Sequence, residues 1–234
     1  MKPSKLICTI ALVSLIAGCA QTSRDPDVSY SGFLGDYSML VKGGDKQAER
    51  RYVREGVNWG SYDKVLLDPV MLWRGDQSRE SGLSGHESQM LLNYFFHQIY
   101  QALENIGLEM VTTPMPKTLR VQVAVTKVGE SNVVLDVVSS VVPTTLVASG
   151  LKQALTGKPA FVGEAEIEYK VLDATTGQLL AAGVDHRVGG KFLDAAHFSS
   201  WGEAEEIMKL WAQWGAYRLC QFQKRTTCVQ PATT

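Results

Sequence analysis

At 234 residues, with 45% hydrophobic and 20% charged residues, the chain has the make-up of one folded domain, not of a disordered or low-complexity segment. A formal net charge of −1 leaves no basic excess to collect nucleic-acid phosphates, and no polybasic run offers a site for anionic lipid headgroups. A chain of this length can bury a core large enough to fold without a metal or several disulfides.

In chain order, Lys2 and Lys5 precede an apolar run from Leu6 to Ile16, shorter than the ~20 residues needed to span a bilayer. Residues 1–18 therefore read as a secretory leader. The stretch Leu15-Ile16-Ala17-Gly18-Cys19 resembles the bacterial lipobox. That resemblance implies a diacylglyceryl group on the Cys19 thiol, with Cys19 as the first mature residue and the lipid as the link to the membrane. Ala20 follows it where an aspartate would resemble the inner-membrane retention rule, which implies the periplasmic leaflet of the outer membrane. Cys8 leaves with the leader, so Cys220 and Cys228 are the two thiols left over. In an oxidising compartment they are expected to pair.

Residues 19–30 are polar and read as a tether, 31–228 as a single domain, and 229–234 as a tail. Ser31 to Tyr37 is too aromatic for a linker and is expected to dock on the domain as a loop. Asp45 to Arg54 reads as an exposed, solvated connection. Tyr62 to Trp73 suits a strand buried on both faces, interrupted at Pro69, which has no N–H for a ladder. Ser84-Gly85-His86-Glu87 is a capping-box pattern, followed at helical spacing by Leu91, Phe95, Ile99, Leu103 and Ile106 and stopped by Gly107. Met90, Leu92 and Phe96 widen that apolar face.

Leu119, Val121, Val123 and Val125 alternate with polar residues as in a strand with one buried face. Glu164 to Leu172 alternates too, with Ala165, Ile167, Tyr169 and Val171 inward and Glu164, Glu166, Glu168 and Lys170 outward. Asp173 to Gly177 is turn chemistry. The next strand is expected to set Leu180 against Val171, Ala182 against Tyr169, Val184 against Ile167 and Arg187 against Glu164. Ser200-Trp201-Gly202-Glu203 opens a last helix with Ile207, Leu210, Trp211, Trp214 and Tyr217 on its buried stripe. The order strand, helix, strand, insert, hairpin, helix predicts a single α+β domain with a mixed or mainly antiparallel sheet covered by helices.

Catalytic patterns fail on inspection, and no cofactor or metal motif is present. Gly82-Leu83-Ser84-Gly85-His86 lacks the final glycine of a nucleophile elbow, and Ser84 is better used as a helix cap. Gly189-Gly190-Lys191 lacks the first glycine and the Ser/Thr of a phosphate loop. The four histidines have no metal-ligand spacing, although Asp185 and His186 could gather with Asp194 and His197. Glu166 would face Asp185, a carboxylate pair of the kind that raises one pKa. The segment from Val133 to Leu155 is unusually apolar, broken by Asp136, Pro143 and Gly150. It reads either as a buried crossover or as an exposed element in which Val138, Val142 and Leu146 pack on a partner, a second copy or the membrane.

Residues spread along the chain carry a wider likeness: Ser31-Gly32-Phe33-Leu34, Asp36-Tyr37, Asp68-Pro69-Val70, Phe161 to Ala165, Asp173 to Gly177, Val184 to Lys191, Trp201-Gly202 and Trp211-Ala212. In these the chain resembles the domain-of-unknown-function 3313 family of proteobacterial lipoproteins. The resemblance implies an envelope lipoprotein and supplies no catalytic residue. The reading favoured is a non-enzymatic, lipid-anchored module that contacts an envelope protein or itself. The alternatives are a hydrolase or metalloenzyme centred on Asp185/His186, and a carrier of a small apolar ligand using residues 133–155.

Overall fold

The structure, a computed structural model, describes residues 23–24, 28–73, 85–131, 162–188, 202–226 and 228–232. Its strands are β1 (Ser23–Arg24), β2 (Val41–Lys42), β3 (Arg50–Val53), β4 (Lys64–Leu67), β5 (Met71–Leu72), β6 (Glu109–Val111), β7 (Thr118–Ser131), β8 (Val162–Asp173) and β9 (Leu179–Val188). Helix α1 (Gly85–Asn105) falls between β5 and β6, and α2 (Gly202–Phe222) follows β9. The strands form one mixed sheet in the order β2-β3-β9-β8-β7-β4-β6, with β1 also on β9 and β5 also on β7. The antiparallel half is β7-β8-β9-β3-β2; β4 runs parallel to both β7 and β6. This is the α+β domain expected.

Local signals account for most elements. The predicted strand over 62–73 is split at Asp68-Pro69-Val70 into β4 and β5, because Pro69 can donate nothing to the ladder. Leu91, Phe95, Ile99 and Leu103 of α1 are buried against the sheet. Gly107, at φ 81°, ends that helix by adopting a left-handed conformation that L side chains resist. Met90 does not join the apolar face and is 60% exposed; it lies about 100° round the helix from Leu91. The Asp173–Gly177 turn closes as its sequence predicts, with Asp173 Oδ1 accepting the Thr175 and Thr176 amides at 2.9 and 2.8 Å.

Three expectations are corrected. First, the β8–β9 register is one residue away from the one predicted. Val171 faces Ala181, Tyr169 faces Gly183, Ile167 faces Asp185 and Glu166 faces His186. The register shifts between Val171 and Leu172, where Leu180 is the extra residue on β9, and a one-residue slip exchanges the two faces of everything beyond it. Gly183 is required there: a Cβ would meet the Tyr169 hydroxyl at 2.6 Å. Second, Asp45–Arg54 is not simply a solvated connection. Its second half is β3, paired along β9, and Glu49 is buried. Third, the glutamates of β8 do not face solvent. Glu164, Glu166 and Glu168 are 8%, 2% and 0% exposed.

Both helices pack on the front of the sheet, where Phe95 of α1 and Trp211 of α2 approach to 6.0 Å between ring centroids. Cys220 and Cys228 form the expected disulfide, their Cα atoms 5.6 Å apart, closing the end of α2. A bridge over so short a loop removes about 2–3 kcal/mol of unfolded-state freedom. Cys220→Ser with Cys228→Ser should therefore lower stability by about that amount while leaving the fold intact, because Ile207, Met208 and Trp211 hold α2 independently. Denaturant unfolding of the two proteins measures it, and equal midpoints would contradict it.

Candidate functional site

The two faces of the hairpin β8–β9 carry different devices. On the back, even-numbered residues of β8 hold the segment 28–37. Glu166 accepts the Ser29 amide and hydroxyl at 3.1 and 2.9 Å and the Thr126 hydroxyl at 2.9 Å. Glu168 accepts the Ser31 amide at 2.7 Å, the Leu34 amide at 3.3 Å and the Tyr37 hydroxyl at 2.7 Å. Lys170 donates to the Phe33 carbonyl at 3.1 Å and lies 4.2 Å above the Phe33 ring. Trp73 meets Phe33 edge-on and donates to the Ser31 carbonyl at 3.1 Å. The docked loop expected at 31–37 is thus a strap, and buried carboxylates are its anchor points. Burial raises the Tyr37 hydroxyl above its ordinary pKa, and its bond to Glu168 adds to that.

Farther along the same face, Glu164 meets Lys127 at 3.0 Å and His186 Nε2 at 3.2 Å. Burial pushes the Glu164 carboxyl up, but the bonds from His186 and Lys127 outweigh it and hold the group below the ordinary carboxylate range. Toward the other end of this face, where Arg120 and Gln122 pair with Leu172 and Lys170, Asp68 binds Arg120 Nε at 3.0 and 2.9 Å through its two oxygens, and Gln122 at 2.7 Å. Many residues that carried the family likeness, Ser31 to Leu34, Tyr37, Asp68 and Glu164, therefore belong to one polar layer.

On the front, Asp185 is 1% exposed and accepts three donors: the Glu49 amide at 2.8 Å, Arg187 Nε at 2.7 Å and Trp211 Nε1 at 2.6 Å. It ties β9 to the loop before β3 and to α2. Strand alternation sends His186 to the opposite face, so Asp185 and His186 do not form one centre. Nor does Glu166 face Asp185, because its strap contacts are on the back. Among the described residues no three His, Cys, Asp or Glu side chains gather as a metal site.

Between α2 and the front of the sheet lies a cavity of about 240 Å³. Phe95, Ile99, Val121, Val123, Ile167 and Trp211 give it apolar walls, while Arg51, Tyr169 and Arg187 supply polar groups. Arg51 Nε is sealed from solvent and has no hydrogen-bond partner, a condition that ordinarily costs about 1–3 kcal/mol. Burial pushes the Tyr169 hydroxyl up to about 12, with Asp185 adding to the rise and Arg51 opposing it. The sequence reading placed Tyr169 on an inward face but gave neither it nor Arg51 a part in a site, since neither belongs to a motif; only the fold brings β3 and β8 to the same cavity. Cys19, Val138, Val142 and Leu146 lie outside the described residues.

These features define an α+β domain whose N-terminal strap is built into its sheet and whose front carries a lined cavity. The chain belongs to the family described as "Protein of unknown function (DUF3313)", whose model matches residues 29–214. No curated protein matches it in sequence. Among solved structures it is similar to the PelC dodecamer from Paraburkholderia phytofirmans, at 7% identity and a TM-score of 0.41, covering 76% of this chain and 97% of that one. It is similar also to protein XCC0632 from Xanthomonas campestris, at 9% identity and a TM-score of 0.42, covering 74% and 91%. Likenesses this distant carry no functional argument.

Proposed function

We propose that the chain is a lipid-anchored module of the bacterial envelope, acylated on Cys19, held on the periplasmic leaflet of the outer membrane, and working without catalysis through contact with an envelope protein or a second copy. The observation that carries this reading is how early the chain joins its sheet. Ser23–Arg24 already pairs with Val188 and Arg187 of β9, and Ser29 and Ser31 are held on β8. Three residues separate Cys19 from Ser23, a reach of at most about 14 Å. A lipid on Cys19 would hold this end of the sheet against the bilayer.

The same end is where β7 finishes and β8 begins, since Ser131 pairs with Val162 and Glu164 with Val188. The apolar insert containing Val138, Val142 and Leu146 therefore departs from the sheet beside the anchor. That supports its use in contacts made at the membrane. Asp185 supports the non-catalytic reading, because its three donors already employ it in holding the fold.

Cys19→Ala should abolish incorporation of a clickable fatty acid and leave uncleaved precursor. Label retained at wild-type level in the variant would sink the lipoprotein reading. Fractionation of the wild type to the inner membrane would overturn the outer-membrane assignment alone. Crosslinking in intact cells tests the partner: a folded Val142→Asp chain that keeps every wild-type crosslink would remove the insert from the interface.

A further inference from the structure

The front cavity combines apolar walls with cationic and hydroxyl donors that the protein itself leaves unused. Of the described charged residues lining it, Lys46, Arg51, Arg187 and Arg218 are cationic and Asp185 alone is acidic. Asp185 is committed to Glu49, Arg187 and Trp211, and Glu49 is itself buried beside it. Lys46 and Arg218 lie over the Trp214 ring at 5.4 and 5.8 Å. Arg51 and Arg218 both line the cavity with an Nε sealed and without an acceptor, but Arg218 donates from its terminal nitrogens to Gln221 and the Asp45 carbonyl, whereas no hydrogen bond to the described residues engages those of Arg51 or the Tyr169 hydroxyl beside it.

A half-buried guanidinium whose Nε is sealed without an acceptor favours a compensating anion, and Arg recognises a carboxylate through paired N–H bonds. The walls call for a hydrocarbon chain. A volume of about 240 Å³ equals roughly eight liquid-water shares, room for one chain of about eight to ten carbons and too little for a two-chain lipid. We propose that this cavity is a binding site for a single-chain amphiphilic anion, a medium-chain fatty-acid carboxylate, with its head on Arg51 and Tyr169 and its chain along Phe95, Ile99, Val121 and Ile167. The residues assigned to the ligand are distinct from the Cys19 anchor and from the 133–155 segment.

The test uses the full chain in washed membranes and a ten-carbon fatty acid carrying a diazirine near its free end and an alkyne for detection. Crosslinks should map to peptides within 85–105, 118–131, 162–188 and 202–222, whereas acylation at Cys19 would mark a different peptide. Decanoate should compete at least about ten-fold better than decanol, as expected for loss of one charge-assisted contact. Arg51→Met should reduce labelling at sub-saturating probe about ten-fold, and Tyr169→Phe, which removes only the hydroxyl, several-fold. If Arg51→Met fails to fold, Tyr169→Phe decides. Crosslinks mapping elsewhere, decanol equal to decanoate, or undiminished labelling in the folded variants would overturn the proposal.

Discussion

Glu168→Ala should detach the strap over residues 29–37 from the sheet and lower unfolding free energy by about 3 kcal/mol or more. Glu168 has no exposed surface, and its carboxylate collects the Ser31 and Leu34 amides and the Tyr37 hydroxyl. Bonds to a charged acceptor contribute more than neutral ones, and truncation leaves the Ser31 amide and the Tyr37 hydroxyl without their acceptor and the Leu34 amide with only a long contact to Tyr37. Tyr37→Phe removes the donor to Glu168 and the acceptor of the Gly32 amide at 2.7 Å and should cost about 2 kcal/mol, and because both substitutions break the Tyr37–Glu168 bond their effects together should be less than additive. Denaturant unfolding gives the energies. Hydrogen exchange gives the location: the Ser31 and Leu34 amides should exchange faster in Glu168→Ala while the amides of α1 keep their protection. Unchanged exchange at Ser31 and Leu34 would show that the strap is held by something else. In a lipid-anchored chain, the same variant would also loosen the spacing between bilayer and domain.

Asp185→Ala should be at least as damaging, at about 3–5 kcal/mol, because it leaves the Arg187 cation and two further donors facing a buried gap. The loss should appear at α2, since Trp211 Nε1 is one of the donors, and tryptophan emission reports it. His186→Ala should cost less, about 1–2 kcal/mol, by removing one bond to Glu164 on the other face while Lys127 remains paired there. A catalytic pair would lose activity together at little cost to folding. Two structural residues on opposite faces should instead lose stability separately and nearly additively. An Asp185→Ala protein as stable as wild type would reverse this assignment. The comparison also qualifies any cellular test of Asp185: loss of function in an Asp185 variant is informative only where folding is intact.

What the sequence determined by itself is the set of features whose causes are near neighbours. The 3.6-residue spacing of Leu91, Phe95, Ile99 and Leu103 set the buried face of α1, and Gly107 its end. Pro69 set the break between β4 and β5, Asp173 to Gly177 set the hairpin turn, and two leftover thiols set the disulfide. Tertiary structure decided the rest. The Glu-x-Glu-x-Glu alternation of β8 reads as a solvent face because glutamate is rarely buried unless paired. The strap that covers it lies more than 130 positions earlier, and no local signal announces the match. Hairpin register depended on one extra residue, Leu180, which periodicity does not resolve although it exchanges both faces of β9. The cavity needed β3, β8 and α2 to converge on Arg51 and Tyr169. Period, caps and turns are fixed by contacts a few residues apart, whereas burial of a charge is decided by whichever distant segment brings its hydrogen-bond partners.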